Sequence, residues 1–250
     1  MTTVSEVKSW LRPLLGKRLD LALVGRNLVF SPVRHVLRGI YFDASGDKKV
    51  CRPKWYLNSL CKNASSFSFE HWGDFYLLEN DDPAFLGDLY KKLDSILDLD
   101  FTKVETLQDF LDRTEPASLN GLMFNRRALS STPYSHATVL AGLGRIVEAR
   151  DALSTALERL HNSYHGHLGA AEAELAKRAN SAVAKVHRKF AERDKAALGR
   201  VQAFASLLEG GDRAVIAAML RQWEGETVIR WGLQHLWEPT PLPIELGAGD

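Results

Sequence analysis

Near residue 81 the apolar residues change period, from short alternating runs to helical spacing, and this confines the chain to a mixed α+β architecture. Before that point lie LDLALV, NLVFS, VRHVLRGIYF, KVCRPKWYL, FSF and DFYLL, all short and rich in β-branched or aromatic residues. Turn formers separate them: GRN at 25–27, DASGDKK at 43–49 and KNASS at 62–66. Such runs read as strands, and SGD between two of them is a hairpin signal. They predict an antiparallel sheet of four to six strands over about residues 19–79, with Pro32 and Pro53 at strand starts, edges or bulges. A helix precedes the sheet at about 4–15. Thr3 is its candidate N-cap, and Val4, Val7, Trp10, Leu11 and Leu14 are its apolar stripe. Pro13 is expected to kink or end it.

After residue 81 the spacing is helical. Asp82 and Pro83 form a start signal, and Leu86, Leu89, Leu93, Ile96 and Leu97 make the stripe. A second helix begins near Thr106 with Leu107, Phe110 and Leu111, and residues 115–133 read as a connector. A helical hairpin follows at about 134–143 and 145–161. In HATVLAGLGRIVEARDALSTALERL, the residues Leu140, Gly144, Ile146, Ala149, Leu153, Ala156 and Leu157 are spaced as in a tetratricopeptide unit. The stretch resembles one such unit over about 25 residues, with His136 where a large apolar residue is usual. No second copy occurs, and an array needs about three, so the resemblance implies a structural hairpin.

One long helix is expected over about 169–209, carrying a seam of Leu175, Ala179, Val183, Val186, Phe190, Ala197, Val201, Phe204 and Leu208. At 1.5 Å per residue it would span about 60 Å. It must either break near Arg193 and Asp194, which interrupt the seam, or project and pair with another helix. Gly210, Gly211 and Asp212 stop it, a last helical pair follows, and three prolines mark an extended tail. The fold class is therefore α+β: an N-terminal helix and sheet domain (1–80), a helical domain (81–238) and a tail (239–250).

Composition excludes more than it selects. The net charge of +1 gives no global push toward nucleic acid or membrane. Cys51 and Cys61 read as small buried groups in a reducing cytoplasm. The first residues lack the apolar core of a signal peptide, and no run approaches the roughly 20 apolar residues of a membrane span. A cytoplasmic protein without a membrane partner is the expectation.

Charge is nevertheless segregated. Residues 26–62 hold eight Lys/Arg against two Asp/Glu, whereas residues 70–115 hold four against thirteen. Basic residues interleaved with aromatics can track phosphates and stack bases. Arg34, Arg38, Lys48, Lys49, Arg52, Lys54, Trp55 and Tyr56 are the candidates for nucleic-acid binding. The competing reading has the acidic helices cover this sheet and neutralise it internally.

Catalytic motifs are lacking. There is no Walker or Rossmann glycine loop, no HExxH, no G-x-S-x-G and no paired CxxC. Asp43, Asp47, Lys48 and Lys49 resemble a nuclease arrangement, but aspartates in a DASGD turn have a local backbone role. HNSYHGHLG at 161–169 places three histidines within seven residues. His161 and His165, four apart, would share a helix face, the spacing zinc sites use. Gly166 and Gly169 argue that the helix stops there. His161, His165 and His167 are thus metal candidates, with Glu172 or Glu174 as a carboxylate, set against a plain joint between two helices.

The expected function is a non-enzymatic protein–protein interaction subunit, an adaptor or regulatory component of a bacterial multiprotein assembly, with a defence or toxin-immunity role compatible. No cofactor is expected. A protein partner, or a second copy through the long helix, would use Val183, Val186, Phe190, Val201 and Phe204. Nucleic-acid binding through residues 26–62 is the first alternative, and metal-dependent hydrolase or nuclease activity the second.

Overall fold

The structure, a computed structural model, describes residues 2–44, 49–62, 71–74, 78–79, 82–114 and 132–247. The connector at 115–131, the FSF run, Asp47 and Lys48 lie outside the described residues. The chain forms two compact units, one of Met1–Leu129 with Leu220–Leu242, the other of Ser130–Met219 with Pro243–Asp250.

The first unit opens with helix α1, Val4–Leu15. Thr3 caps it: its hydroxyl accepts from the Glu6 amide at 3.2 Å, and its own amide donates to the Glu6 carboxylate at 2.7 Å. Those bonds hold the Glu6 carboxyl below its usual range, the Thr3 side chain contributing most. Pro13 lies within the last turn rather than ending the helix.

The strands are β1 (Leu21–Val24), β2 (Asn27–Phe30), β3 (Val36–Ala44), β4 (Val50–Ser59), β5 (His71–Asp74) and β6 (Leu78–Glu79). They form an antiparallel meander in the order β1-β2-β3-β4-β5, with β6 also paired to β4. A two-residue loop joins β1 to β2, and Gly25 takes the positive φ of 62° that this tight turn requires. Alternation assigns the two faces. Val29, Gly39 and Tyr56 are register partners on one face. There Val29, Val33, Leu37, Tyr56 and Leu60 pack with Val228 and Leu233. A Cβ on Gly39 would lie 2.4 Å from the Leu28 carbonyl oxygen and 2.6 Å from the Tyr56 hydroxyl, so only glycine lets the Tyr56 ring cross the sheet here. On the opposite face, Phe30 and Trp55 meet Phe101, from the 3-10 turn Asp100–Lys103. Both faces are therefore covered, which explains why charges and aliphatics do not separate cleanly along β3 and β4.

Helices α2 (Phe85–Leu97) and α3 (Leu107–Thr114) flank that 3-10 turn. The Tyr90 hydroxyl ties α2 to α1 by donating to the Trp10 carbonyl at 2.7 Å. The chain returns to this unit in α7 (Arg213–Trp231), which Gly232 ends at φ 69°. The expected last helical pair is thus a single helix. Beyond it, the Val33 amide donates to Leu236 O at 2.9 Å and the Glu238 amide to Val33 O at 2.8 Å. The start of the tail expected to lie extended is held here, and Leu242 is fully buried.

The second unit contains α4 (Thr132–Gly142), α5 (Ile146–Lys177) and α6 (Ala182–Gly210). Gly144, at φ 84°, turns the chain between α4 and α5. The expected joint at 161–169 and the single helix over 169–209 are both overturned. α5 runs through HNSYHGHLG for 32 residues, and the break falls at residues 178–181. Two glycines cost about 1 kcal/mol each in a helix interior, which packing against a long neighbour offsets. Nothing lies within 4 Å of where a Cβ would sit on Gly166 or Gly169, so neither marks a close approach. Ser181 caps α6, its hydroxyl accepting from the Ala184 amide at 3.3 Å. Arg193 and Asp194 lie inside α6 without breaking it. Ala171, Ala184 and Ala191 are buried on these two helices, small side chains that suit closely paired helices. A further 3-10 turn, Pro243–Leu246, buries Ile244.

Candidate functional site

The basic strand residues are mostly engaged within their own unit. Arg34 donates to Glu238, with Nη2 3.0 Å from the carboxylate. Arg38 lies on the covered face, over the Phe30 ring, donating to Val104 O at 2.7 Å and to Glu105 at 2.9 Å. Lys54 donates to Asp43 at 2.7 Å. Lys49 is exposed and Arg52 half-buried. Trp55 stacks on Phe101 with ring centroids 5.0 Å apart. Tyr56 is fully buried, and burial pushes its hydroxyl pKa up. Neither ring is presented to a base, because both belong to the core. Arg34 and Arg38 share with Arg18, Asp20 and Glu105 a cleft of about 250 Å³. Arg18 grips Asp20 through two hydrogen bonds of 2.8 and 2.7 Å, and this holds the Asp20 carboxyl below its usual range. Each arginine of the cleft thus has an acidic partner within the unit.

The histidine stretch does bring imidazoles together, on a helix rather than at a turn. His161 and His165 are both exposed, with ring centroids 4.4 Å apart. Glu172 is exposed, and Glu174 is held by Lys177 at 2.9 Å. His167 reaches across to α6, where its Nδ1 lies 3.2 Å from Nδ1 of His187. Its Nε2 is 3.9 Å from Asp194, beyond hydrogen-bond reach. Asp194 is buried and accepts from the Ser163 hydroxyl at 2.6 Å and from Arg193 at 3.3 Å. His187 and Asp194 address opposite nitrogens of the His167 ring. One imidazole offers one nitrogen to an ion, so these three groups cannot share a metal.

The apolar seam divides in two. Val201 and Phe204 are buried, Phe204 edge-on to Tyr134 at 6.3 Å. Both are core residues and are not available to a partner. Val183, Val186 and Phe190 are 52%, 51% and 36% exposed. Phe190 rests against His167 at 5.2 Å and carries the Arg193 guanidinium over its ring.

Sequence reasoning missed a third cluster. His35, Cys61 and Glu224 are all buried, and one ligand atom from each lies within 4.8 Å of the others. His35 sits between β2 and β3, Cys61 just beyond β4, and Glu224 within α7. His35 Nδ1 is 3.0 Å from Glu224 Oε1, and its Nε2 is 3.3 Å from Pro241 O and 3.1 Å from the Thr240 hydroxyl. Arg221 donates to the other Glu224 oxygen at 3.4 Å. A separation of 163 residues between Cys61 and Glu224 leaves no local spacing to detect. No protein-family model matches the chain, and neither a curated protein nor a solved structure matches it. Among the described residues, no helix is long and apolar enough to cross a membrane.

Proposed function

We propose that this protein is a non-enzymatic interaction subunit that docks a protein partner on the first half of α6. The observation that carries this reading is the exposed row of Val183, Val186 and Phe190, spaced to lie along one helix face. Lys185, Arg188, Lys189, Arg193 and Lys195 flank the row, and all are exposed. An amphipathic helix with an acidic rim suits such a face: apolar anchors fill the row while carboxylates meet the flanking cations. A symmetric pair of copies would set these cations against their own counterparts, so a second copy is the poorer occupant.

The test places a photo-crosslinking residue at Val186 in the protein's native host. The captured protein is then purified and its affinity for the intact chain measured. Val186→Asp is expected to weaken that binding at least tenfold, with unchanged helix content. A captured protein bound equally well by Val186→Asp would sink the reading. So would a light-scattering mass of two chains that reverts to one in the same variant, since that result assigns the face to self-association. Retention on nucleic acid that is lost with Lys185→Ala and Lys189→Ala, with no protein captured, would replace it by nucleic-acid binding.

A further inference from the structure

We infer that His35, Cys61 and Glu224 form a zinc site that pins the β2–β3 loop, the end of β4 and α7 together. The geometry comes from three buried side chains. His35 Nδ1 lies 3.0 Å from Glu224 Oε1, and the Cys61 sulfur lies within 4.8 Å of both groups. The other ring nitrogen, Nε2, has the Pro241 carbonyl at 3.3 Å and the Thr240 hydroxyl at 3.1 Å, so the ring proton has acceptors there and Nδ1 can serve as a ligand. A thiolate, an imidazole and a carboxylate make a donor set that suits Zn²⁺.

The dimensions agree. Zinc ligands at roughly 2.0–2.3 Å from the ion lie about 3.3–3.8 Å from one another in a tetrahedron. The Cys61 sulfur, within 4.8 Å of the other two ligand atoms, needs to draw in by about 1.5 Å at most, and His35 Nδ1 and Glu224 Oε1, 3.0 Å apart, need to part by about 0.3–0.8 Å. The surroundings agree too. A metal-bound imidazole ordinarily donates its other N–H to a carbonyl or carboxylate, which fixes the tautomer, and Pro241 O fills that role. Arg221 holds Glu224 Oε2, leaving Oε1 for the ion. Thiolate and carboxylate together carry two negative charges that Zn²⁺ neutralises where all three side chains are buried. The three side chains leave the fourth position to a water, and the role we assign is the tie itself, among a loop, a strand end and a helix far apart in sequence. It is independent of the docking face on α6.

The test uses the full chain without an affinity tag, stripped by a chelator and titrated with Co²⁺. One equivalent is expected to bind and to give a thiolate-to-cobalt charge-transfer band, which Zn²⁺ abolishes by displacement. Only Cys51 and Cys61 can supply the thiolate. The band is expected to survive Cys51→Ala and the paired His161→Ala and His165→Ala change, and to vanish in Cys61→Ser, with zinc affinity falling at least tenfold. Folded wild-type protein that binds no stoichiometric zinc and shows no such band would overturn the site, leaving His35 and Glu224 as a plain ion pair. A band lost in folded Cys51→Ala would overturn it as well. Because the wild-type spectrum and the Cys51 variant decide the matter, the test stands even if Cys61→Ser does not fold.

Discussion

His35 and His167 each approach a buried carboxylate, but their surroundings differ. His35 is enclosed. Glu224 is on one ring nitrogen, Pro241 and Thr240 on the other, and Arg221 completes the carboxylate. His167 lies between two helices with its side chain 27% exposed, and the nearer partner is another imidazole rather than Asp194. The contrast extends to the regions around them. The sheet is covered on both faces, and buried polar groups such as His35 and Arg38 are held by named partners. The α5–α6 pair buries alanines and leaves Val183 and Val186 outside. A buried polar group that loses its partner has no substitute, whereas a half-exposed one recruits water. The first region is therefore sensitive to single polar changes, and the second is free to serve as a surface.

The largest expected effect tests that contrast directly. Glu224→Ala takes from buried His35 its carboxylate partner, and is expected to cost about 3–5 kcal/mol in urea unfolding of the sheet unit. A loss under about 1 kcal/mol would show that the cluster is less enclosed than described. Next comes the divided seam of α6. Phe204→Ala empties a fully buried site and is expected to cost about 3–5 kcal/mol, whereas Phe190→Ala, at a partly exposed site, should cost under about 1 kcal/mol. Equal losses would mean that both phenylalanines belong to the core, and the proposed docking face would disappear.

Asp194→Ala is expected to fall between these, at about 1–3 kcal/mol, because it leaves the Ser163 hydroxyl and Arg193 without their acceptor while water can reach His167. His161→Ala, on an exposed helix face, should stay within about 0.5 kcal/mol. The last prediction concerns pH and Cys51. Burial pushes its thiol pKa up to about 12. Because the folded value is raised, its contribution to stability is full below the unfolded thiol's pKa of about 8.5 and is lost as pH rises toward about 12. A decline in unfolding free energy above about pH 9, approaching about 1.4 kcal/mol per pH unit and flattened in Cys51→Ala, is the expected reading. A disulfide-exchange reagent should also find Cys51 inert in the folded protein and reactive in urea.

Local signals were legible where one element alone decided them. Thr3 and Glu6 stand three apart and form the capping box. The turn signal GRN at 25–27 falls where β1 gives way to β2, and the short strand-like runs form the expected antiparallel sheet. The charge segregation was legible, and Arg38 with Glu105, in the loop before α3, is one contact between the basic strands and the acidic segment. The histidine stretch misled because glycine was weighed as a helix stop. With no positive φ demanded at Gly166 or Gly169, each adds only a modest cost that a long packed helix absorbs. The helix break went instead to residues 178–181, where Ser181 offers a cap. The seam misled differently: its spacing is right along all of α6, but spacing does not say where a partner helix covers it.

By itself, the sequence determined the α+β class, the first helix with its cap, the antiparallel sheet and the helical character of the later segments. Each follows from backbone propensity and side-chain period within a few residues. Tertiary structure alone decided which half of the α6 seam is covered, since burial depends on what lies opposite. It alone put Trp55 and Tyr56 into the core, where their neighbours cover both faces of the sheet. It alone joined His35, Cys61 and Glu224, because a cluster drawn from a loop, a strand end and a distant helix exists only once those elements pack.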